Sequence, residues 1–496
     1  MSAGVKATPR SWGGREIAAF SGLLAVLVAV YAQVTDHGFV NYDDQVYLAK
    51  NAVVSHGLSW SAIGWAFTTT TLGNWFPATW ISHILDVQLF GLAPRGHHLT
   101  SLAIHAANVC LLWIWLRGMT GAFWRSALVA SLFALHPINV ESVAWVAERK
   151  NVLSTLGLLG ALIAYVRYVR RPGPARYAAV FLLMAASLLA KAMAVTLPLL
   201  LLLLDVWPLG RLRLPGHGAG SGRPGSAADR VRRVLLEKFP LLLLSGASSI
   251  VTYRAQAGSG YVEMLQDLTP MMRLANAGVS TLAYLRKAVW PADLACFYPH
   301  PEATLPLWQG LLAIAVLVAV AGLLLIAGRQ RPFLAVGWLW FLVSLAPVLG
   351  LIQVGWQAMA DRYAYVPLIG VFVAASWALA GAAPRGAVRR LPVAALAVLA
   401  LVGCAATTHM QAGYWRDTLV LFEHALAVTE RNWFAHSSLG GTYAERGDLT
   451  RGMAHMREAM RLNGRYALKS ERAAPAAMPP GHPPVQQTLP PGHPRR

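Results

Sequence analysis

The chain contains long apolar runs without a single charged side chain, among them Leu23–Val30, Leu197–Leu204 and Leu311–Ala327. Inside lipid every backbone N–H and C=O must be satisfied within the protein, which leaves helices or a closed barrel. The runs lack the alternation of barrel strands, so they predict membrane-spanning helices. A soluble chain of 496 residues would also need more than 13% charged side chains to cover its surface.

A span needs about 20 apolar residues. The clearest candidates are 16–34, 98–116, 151–166, 307–327, 333–352, 363–381 and 391–409, with shorter ones at 126–136, 177–190, 192–206 and 239–254. The reading is an all-α polytopic membrane protein of about 11 spans, with 274–290, which carries Arg286 and Lys287, read as an interfacial or re-entrant helix, or 13 spans if two extra crossings are made there. Basic clusters set the orientation. Lys6, Arg10 and Arg15 precede the first span, Arg167 to Arg176 follow the fourth, and Arg211 to Lys238 fill a linker. Arg329/Arg331 and Arg385/Arg389/Arg390 mark two further turns. All fall on the cytoplasmic side if the spans alternate. This gives a cytoplasmic N-terminus (1–15), a transmembrane domain (16–410) with outer loop 35–97, cytoplasmic linker 207–238 and outer segment 255–306, and an outer C-terminus. The first span has no A-x-A-like exit and reads as a retained anchor.

The net charge of +20 therefore reflects orientation. No basic stripe with interleaved aromatics is present, so no nucleic-acid partner is expected. Cys110, Cys296 and Cys404 are too scattered for a disulfide framework or zinc spacing. His83, His97, His98 and His105 match no standard metal spacing, and no metal is expected.

The stretch 177–206 is too long for one span and has arginines on both sides, so it predicts a hairpin with Lys191 at its outer turn. Legs of about 15 residues reach only some 22 Å. Lys191 would then lie below the interface, either paired in a functional site or snorkelling. Segment 58–70 predicts a helix lying on the membrane surface, and 211–230, rich in Gly, Pro and Ser, a mobile linker. Beyond the last span, 417–432 aligns with 452–463, Ala425 matching Ala459 at an offset of 34, and Leu439, Gly440 and Tyr443 hold an L-G-x-x-Y spacing. That is about one and a half tetratricopeptide repeats over 411–470, too few to stand alone, so they should dock on the membrane domain or another protein. The tail 471–496, which repeats PPGHP, should be disordered.

Three polar clusters converge on the outer face. Asp43-Asp44 suits a general base or a metal, and equally a helix N-cap ahead of QVYLAKN. In LHPINVESVAWVAERKN, His136 closes a span, and Glu141, Trp145 and Glu148 would share a helix face; an amphipathic interfacial helix explains the same pattern. Arg149 and Lys150 add positive charge. In QAMADRYAYVP, Arg362 either clamps a phosphate or pairs with Asp361. Acids beside several bases suit a lipid-linked anionic donor and a hydroxyl acceptor better than an ion pathway, which would put ionisable groups in mid-span on broken helices.

The segments FVNYDDQVYLAKN, WISHILDVQLFGLAPRGHHLTSLAIHAAN, LFALHPINVESVAWVAERKNVLS, LLAKAMAVTLPLLLLLLDVWPLGR, WPADLACFYPHP and QAMADRYAYVPLIG, in this order, resemble the transmembrane and tetratricopeptide-repeat O-mannosyltransferase-like family. That family belongs to the GT-C glycosyltransferases. The resemblance implies transfer of a hexose, with mannose favoured, from a polyprenyl-phosphate donor to a protein hydroxyl at the outer face. It implies that Asp43 and Asp44 are the catalytic acid pair, and no cofactor is indicated beyond the donor. His136, Glu141, Glu148, Arg149, Lys191 and Arg362 are the candidates for holding the donor's phosphate and sugar. The partners implied are membrane lipid, the lipid-linked sugar and an acceptor protein reached through the repeats. Phe76 and Ala192 depart from the family pattern, where His and Pro are frequent, and the repeat array is short. A non-catalytic scaffold and a lipid-linked sugar transporter are the competing readings. Ala/Arg/Gly-rich usage and the lack of an N-x-S/T sequon point to a bacterial inner membrane with the C-terminus in the periplasm.

Overall fold

The computed structural model describes residues 13–212, 227–258, 268–351, 355–382 and 391–472. Lys6 and Arg10, most of the 211–230 linker, the Arg385/Arg389/Arg390 cluster and the tail from 473 onward lie outside the described residues. Each of the eleven apolar segments falls on a helix. Among the described residues, six helices are long and apolar enough to cross a membrane: Gly14–Asp36, Pro94–Thr120, Val146–Arg170, Ala228–Gly258, Leu307–Gly328 and Leu391–Gly413. A seventh would be Phe123–Leu135 joined to Pro137–Ala144 across a 54° bend. Pro174–Ala190, Ala192–Val206, Pro332–Val348 and Pro367–Ala382 are apolar but shorter.

Proline sets many helix starts. Pro77, Pro94, Pro174, Pro270 and Pro332 sit in the first turn, where a missing N–H costs nothing. Pro367 does the same, so the span predicted from 363 begins four residues later. The freed stretch Asp361–Ala364 is a 3₁₀ turn that carries Asp361 and Arg362. Segment 58–70 is a helix at Trp60–Thr68, with Trp60 and Phe67 exposed. The Pro270–Val289 helix covers 274–290 and packs against Leu307–Gly328.

The linker boundary needs correcting. The predicted span 239–254 is the second half of a 32-residue helix, Ala227–Gly258, that reaches back into the segment read as linker. Lys238 explains the difference. It is buried, with its ammonium 2.8 Å from the buried Asp205 carboxylate and 2.6 Å from the Tyr165 hydroxyl. A neutralised charge no longer has to end the apolar helix.

The bundle has a centre and a rim. The Val146–Arg170 span is 56% buried by protein, whereas Leu307–Gly328 is 11% and Leu391–Gly413 is 6% buried, which leaves these two to face lipid. Close helix approach holds the centre. A Cβ on Gly157 would fall 2.9 Å from the Ser187 backbone, so the Arg149–Arg170 and Pro174–Ala190 helices meet there without side chains between them. The 177–206 hairpin is present, with Lys191 at its turn and a 3₁₀ stretch, Ala192–Thr196, starting the return. Tyr298–Pro299 pairs antiparallel with Gln357–Met359 and ties the outer segment to the Asp361–Arg362 turn.

At the C-terminus, helices Thr418–Val428, Trp433–Glu445 and Leu449–Arg472 pack in succession. Ala425, Leu439 and Ala459 are fully buried, as the 34-residue offset requires, and Gly440 lies against Gly452 where the last two helices cross. This unit docks on the membrane domain. Phe434 stacks on Phe297 with ring centroids 4.5 Å apart, Asn432 donates to the Phe297 carbonyl, and Tyr42 of the outer loop packs 5.1 Å from Phe434.

Candidate functional site

The segment joining the Phe123–Leu135 and Arg149–Arg170 helices is the hub. The sequence suggested one amphipathic helix with a solvated face, and the structure corrects this. A helix, Val140–Ala144, stops at Trp145, whose backbone is extended (φ −84°, ψ 116°), and a 3₁₀ turn, Val146–Glu148, leads into the long span. The whole stretch is buried. The break still directs Glu141, Trp145 and Glu148 to one place, because all three meet Arg362.

Arg362 Nη1 lies 2.5 Å from Glu141 Oε1, and its backbone N–H donates to Glu141 Oε2 at 2.7 Å. Its Nε lies 3.4 Å from Glu148 Oε1, and its guanidinium covers the Trp145 and Tyr363 rings at 5.3 and 5.0 Å. Glu148 gathers two further cations: Lys150 at 3.1 Å through Oε1 and Lys191 at 3.0 Å through Oε2. Lys150 also donates to the Tyr47 hydroxyl at 3.1 Å, which ties the outer loop to the hub. Asn151 donates to Ser142 Oγ and to the Arg362 carbonyl, so its amide oxygen must face Lys191, 3.2 Å away. Lys191 is therefore paired, and the snorkelling alternative is set aside. Three cations face the two glutamates, and Asp43 is the third acid that Lys150 and Arg362 act on. Arg362 Nη2 has no protein acceptor among the described residues.

The two aspartates take different positions. Asp44 is buried; its carboxylate accepts from the Val40 N–H at 3.0 Å and the Ala147 N–H at 2.8 Å, pinning the outer loop to the hub. It makes no N-cap bond, so the capping alternative does not hold. Burial pushes Asp44 up to about 7 despite those two donors. The Asp43 carbonyl accepts from the Val46 and Tyr47 N–H groups, whereas its carboxylate makes no hydrogen bond or ion pair with the described residues. Burial raises it above the usual carboxylate range, while Lys150 and Arg362 pull it down. Asp43 is the uncommitted acid of the pair.

Two other candidates are set apart by the structure. Arg149 is fully buried and spends its guanidinium on the Asp86 carboxylate, the His97 carbonyl at 2.6 Å, Ser101 and Ser82, away from Glu148. His136 uses both ring nitrogens internally: Nδ1 accepts from Ile138 N–H, so Nε2 donates to the Ala288 carbonyl at 3.1 Å. Asp361 does not pair with Arg362. It accepts from the Tyr298 hydroxyl at 2.8 Å, and burial pushes it up to about 6. Lys150 was named only as added charge, yet it is the neighbour that enters the site. Successive helical side chains diverge by about 100° at 3.6 residues per turn, so one of two adjacent bases had to point elsewhere. Tyr47 and Asn151 carried no signal of their own. Of the histidines, His97 lies beside Asp86 and His105 bonds the Tyr365 hydroxyl.

A narrow crevice opens beside the cluster. Asn151, Arg362 and Tyr363 line it together with Leu158, Val366 and Pro367. Along the central helix the lining runs from Asn151 through Thr155 to Leu158, one face passing from polar to apolar. The crevice is closed down to about 10 Å³, so an anion beside an apolar chain would enter only once its walls part.

Fold and site together define a polytopic α-helical integral membrane protein with a buried ion cluster beside its outer loop and a narrow crevice next to that cluster. Comparison with known proteins shows what the chain is similar to. Protein O-mannosyl-transferase Tmtc2 of Drosophila melanogaster is 32% identical over 191 residues, 36% of this chain and 20% of that protein. Tmtc3 of the same fly is 23% identical over 451 residues, 78% of this chain and 48% of that protein. TMTC4 of Mus musculus is 24% identical over 494 residues, 87% and 65% respectively. The chain is thus a homologue of the proteins named as Tmtc O-mannosyl-transferases, and it spans from about a fifth to just under two thirds of their length. No family model matches. A crystal structure of ArnT from Cupriavidus metallidurans bound to undecaprenyl phosphate aligns over 92% of this chain and 78% of that one, at 14% identity and a TM-score of 0.37. A likeness at that score decides nothing about the site.

Proposed function

We propose that the protein is a GT-C-type glycosyltransferase that moves a hexose, mannose by the names of its relatives, from a polyprenyl-phosphate donor to a protein hydroxyl. The site faces the periplasm in a bacterial inner membrane, as does the C-terminus. The observation that carries this reading is the crevice, where the Arg362 guanidinium meets an apolar lining of Leu158, Val366 and Pro367, with Lys150 and Lys191 gathered on Glu148 beside it. A lipid phosphate satisfies both ends. Asp43 takes the proton of the acceptor hydroxyl as the oxygen attacks the anomeric carbon. The bond from that carbon to the phosphate oxygen breaks, and its electron pair leaves with the phosphate. The added negative charge is met by fixed cations in a site shielded from water, where such interactions are strongest. Asp44 and Arg149 hold the loop and the central helix in place without touching substrate, and His136 acts likewise. Glu141 and Glu148 orient the cations. The three C-terminal helices are a short tetratricopeptide array on the acceptor side.

The test uses the purified chain, radiolabelled polyprenyl-phosphate-mannose and a threonine-containing peptide. Asp43→Asn should lower transfer by roughly 10²- to 10⁴-fold, the range for loss of a general base. Mass spectrometry of envelope proteins with and without the gene should show a hexose on serine or threonine. Undiminished transfer by Asp43→Asn removes the catalytic assignment. Sugar crossing vesicles without a new glycosidic bond would establish a transporter instead.

A further inference from the structure

The turn that carries the aspartates sends its side chains to different surroundings. Tyr42 packs on Trp145, Phe422 and Phe434, Asp44 is bonded to Val40 and Ala147, and Asp43 lies between them in sequence. The remaining two, Asn41 and Gln45, line a second cavity together with Lys50. Its opposite wall is Thr442, Glu445 and Arg446, at the end of the Trp433–Glu445 helix. The Asn41 N–H donates to Thr418 Oγ1 at 2.8 Å, which fixes the two walls to each other. The groove measures about 380 Å³, within the roughly 300–1,000 Å³ range of ligand sites.

Its chemistry differs from that of the first crevice. The side chains of Asn41, Gln45, Lys50, Glu445 and Arg446 make no hydrogen bond or ion pair with the described residues, although they face one another across a single groove. Two carboxamides and a threonine hydroxyl offer paired donors and acceptors of the kind a peptide backbone requires. Lys50 and Arg446 outnumber Glu445, so the groove carries one net positive charge. Its lining has no aromatic ring on which a sugar face would stack and no apolar floor for a lipid chain.

We infer that this groove binds an extended polypeptide flanking the acceptor residue, gripping its main chain and favouring acidic side chains beside the hydroxyl that reaches Asp43. The inference rests on the transferase reading above and adds to it the place and chemistry of the acceptor. It also gives the C-terminal helices a task that needs no longer array, because they form one wall and the catalytic loop forms the other.

The experiment uses the full chain in detergent and a twelve-residue peptide bearing one threonine, one aspartate and a photoreactive benzoylphenylalanine two residues from the threonine. Crosslinked adducts should map to residues 41–50 and 442–446. Excess unlabelled peptide should abolish them and free threonine amide should not. Gln45→Ala combined with Arg446→Ala, which adds no bulk, should cut adduct yield at least fivefold, and replacing the peptide's aspartate by lysine should do the same. Asp43→Asn should crosslink as the parent does, so a failure of catalysis and a failure of the groove give different results. Adducts mapping elsewhere, no adduct at all, or competition by mannose oligosaccharide in place of peptide would overturn the inference.

Discussion

Replacing Glu148 by Gln tests the hub of the site. The glutamate is buried, with Lys150 Nζ at 3.1 Å, Lys191 Nζ at 3.0 Å and Arg362 Nε at 3.4 Å. Each pair is worth about 5 kcal/mol of gross attraction at an effective dielectric of about 20. Most of this is offset by the cost of removing the ions from water. The amide keeps the shape and can still accept a hydrogen bond, but it leaves three cations facing one another. Removing one partner of a buried ion pair costs about 3–5 kcal/mol. At about 2 °C per kcal/mol, the lower end for large domains, the melting temperature should fall by roughly 6–10 °C. The assay is thermal unfolding in detergent, followed by cysteine-reactive dye or by size exclusion after heating. Two controls separate charge from packing. Adding Lys191→Met should recover part of the loss, because one of the repelling cations is gone and the pair is coupled. Undecaprenyl phosphate should raise the melting temperature of Glu148→Gln more than that of the parent, since its phosphate supplies the missing negative charge. A variant that melts within 2 °C of the parent refutes the hub. Equal stabilisation of both proteins by the lipid refutes the phosphate assignment.

Four further outcomes are expected. Asp44→Asn should lose about 1–3 kcal/mol by thermal unfolding, because an amide oxygen cannot serve both the Val40 and Ala147 N–H groups without turning its NH₂ toward one of them; Asp43→Asn, with no partner to lose, should melt within 2 °C of the parent. The kcat/KM of transfer should rise with pH through an apparent pKa above the ordinary carboxylate value, because Asp43 is raised and must be ionised to act; a plateau from pH 4 upward would exclude it as the base. Asp44 goes from an ordinary 3.8 to about 7 on folding and Asp361 to about 6, so the folded chain holds protons that the unfolded chain releases; their contribution to stability should decline as pH rises from about 4 to 7, and more steeply in the parent than in Asp44→Asn. Gly157→Leu should separate the central helix from the Lys191 hairpin and lower yield and melting temperature, because its Cβ alone would fall 2.9 Å from the Ser187 backbone.

Apolar run length and the spacing of arginines marked the eleven apolar segments and the hairpin turn at Lys191, because these follow from local hydropathy and backbone satisfaction, and the 34-residue offset marked the C-terminal helices. The same pattern brought Asp43-Asp44, Glu141, Glu148, Lys191 and Arg362 to one side. Which neighbour of each pair does the work was not local information. Asp43 and Asp44 are adjacent acids on one turn, and the Ala147 N–H, 103 residues further along the chain, marks Asp44 as structural. Arg149 and Lys150 differ by about 100° of helix rotation, and the Asp86 carboxylate decides which of them leaves the site. The Trp145 break, the continuation of the helix through Lys238 and the groove between the loop and the C-terminal helices likewise depend on partners distant in sequence. Periodicity and charge fix which face of an element is buried or wet, whereas the partner a buried charge finds, and so its role, is set by packing between elements.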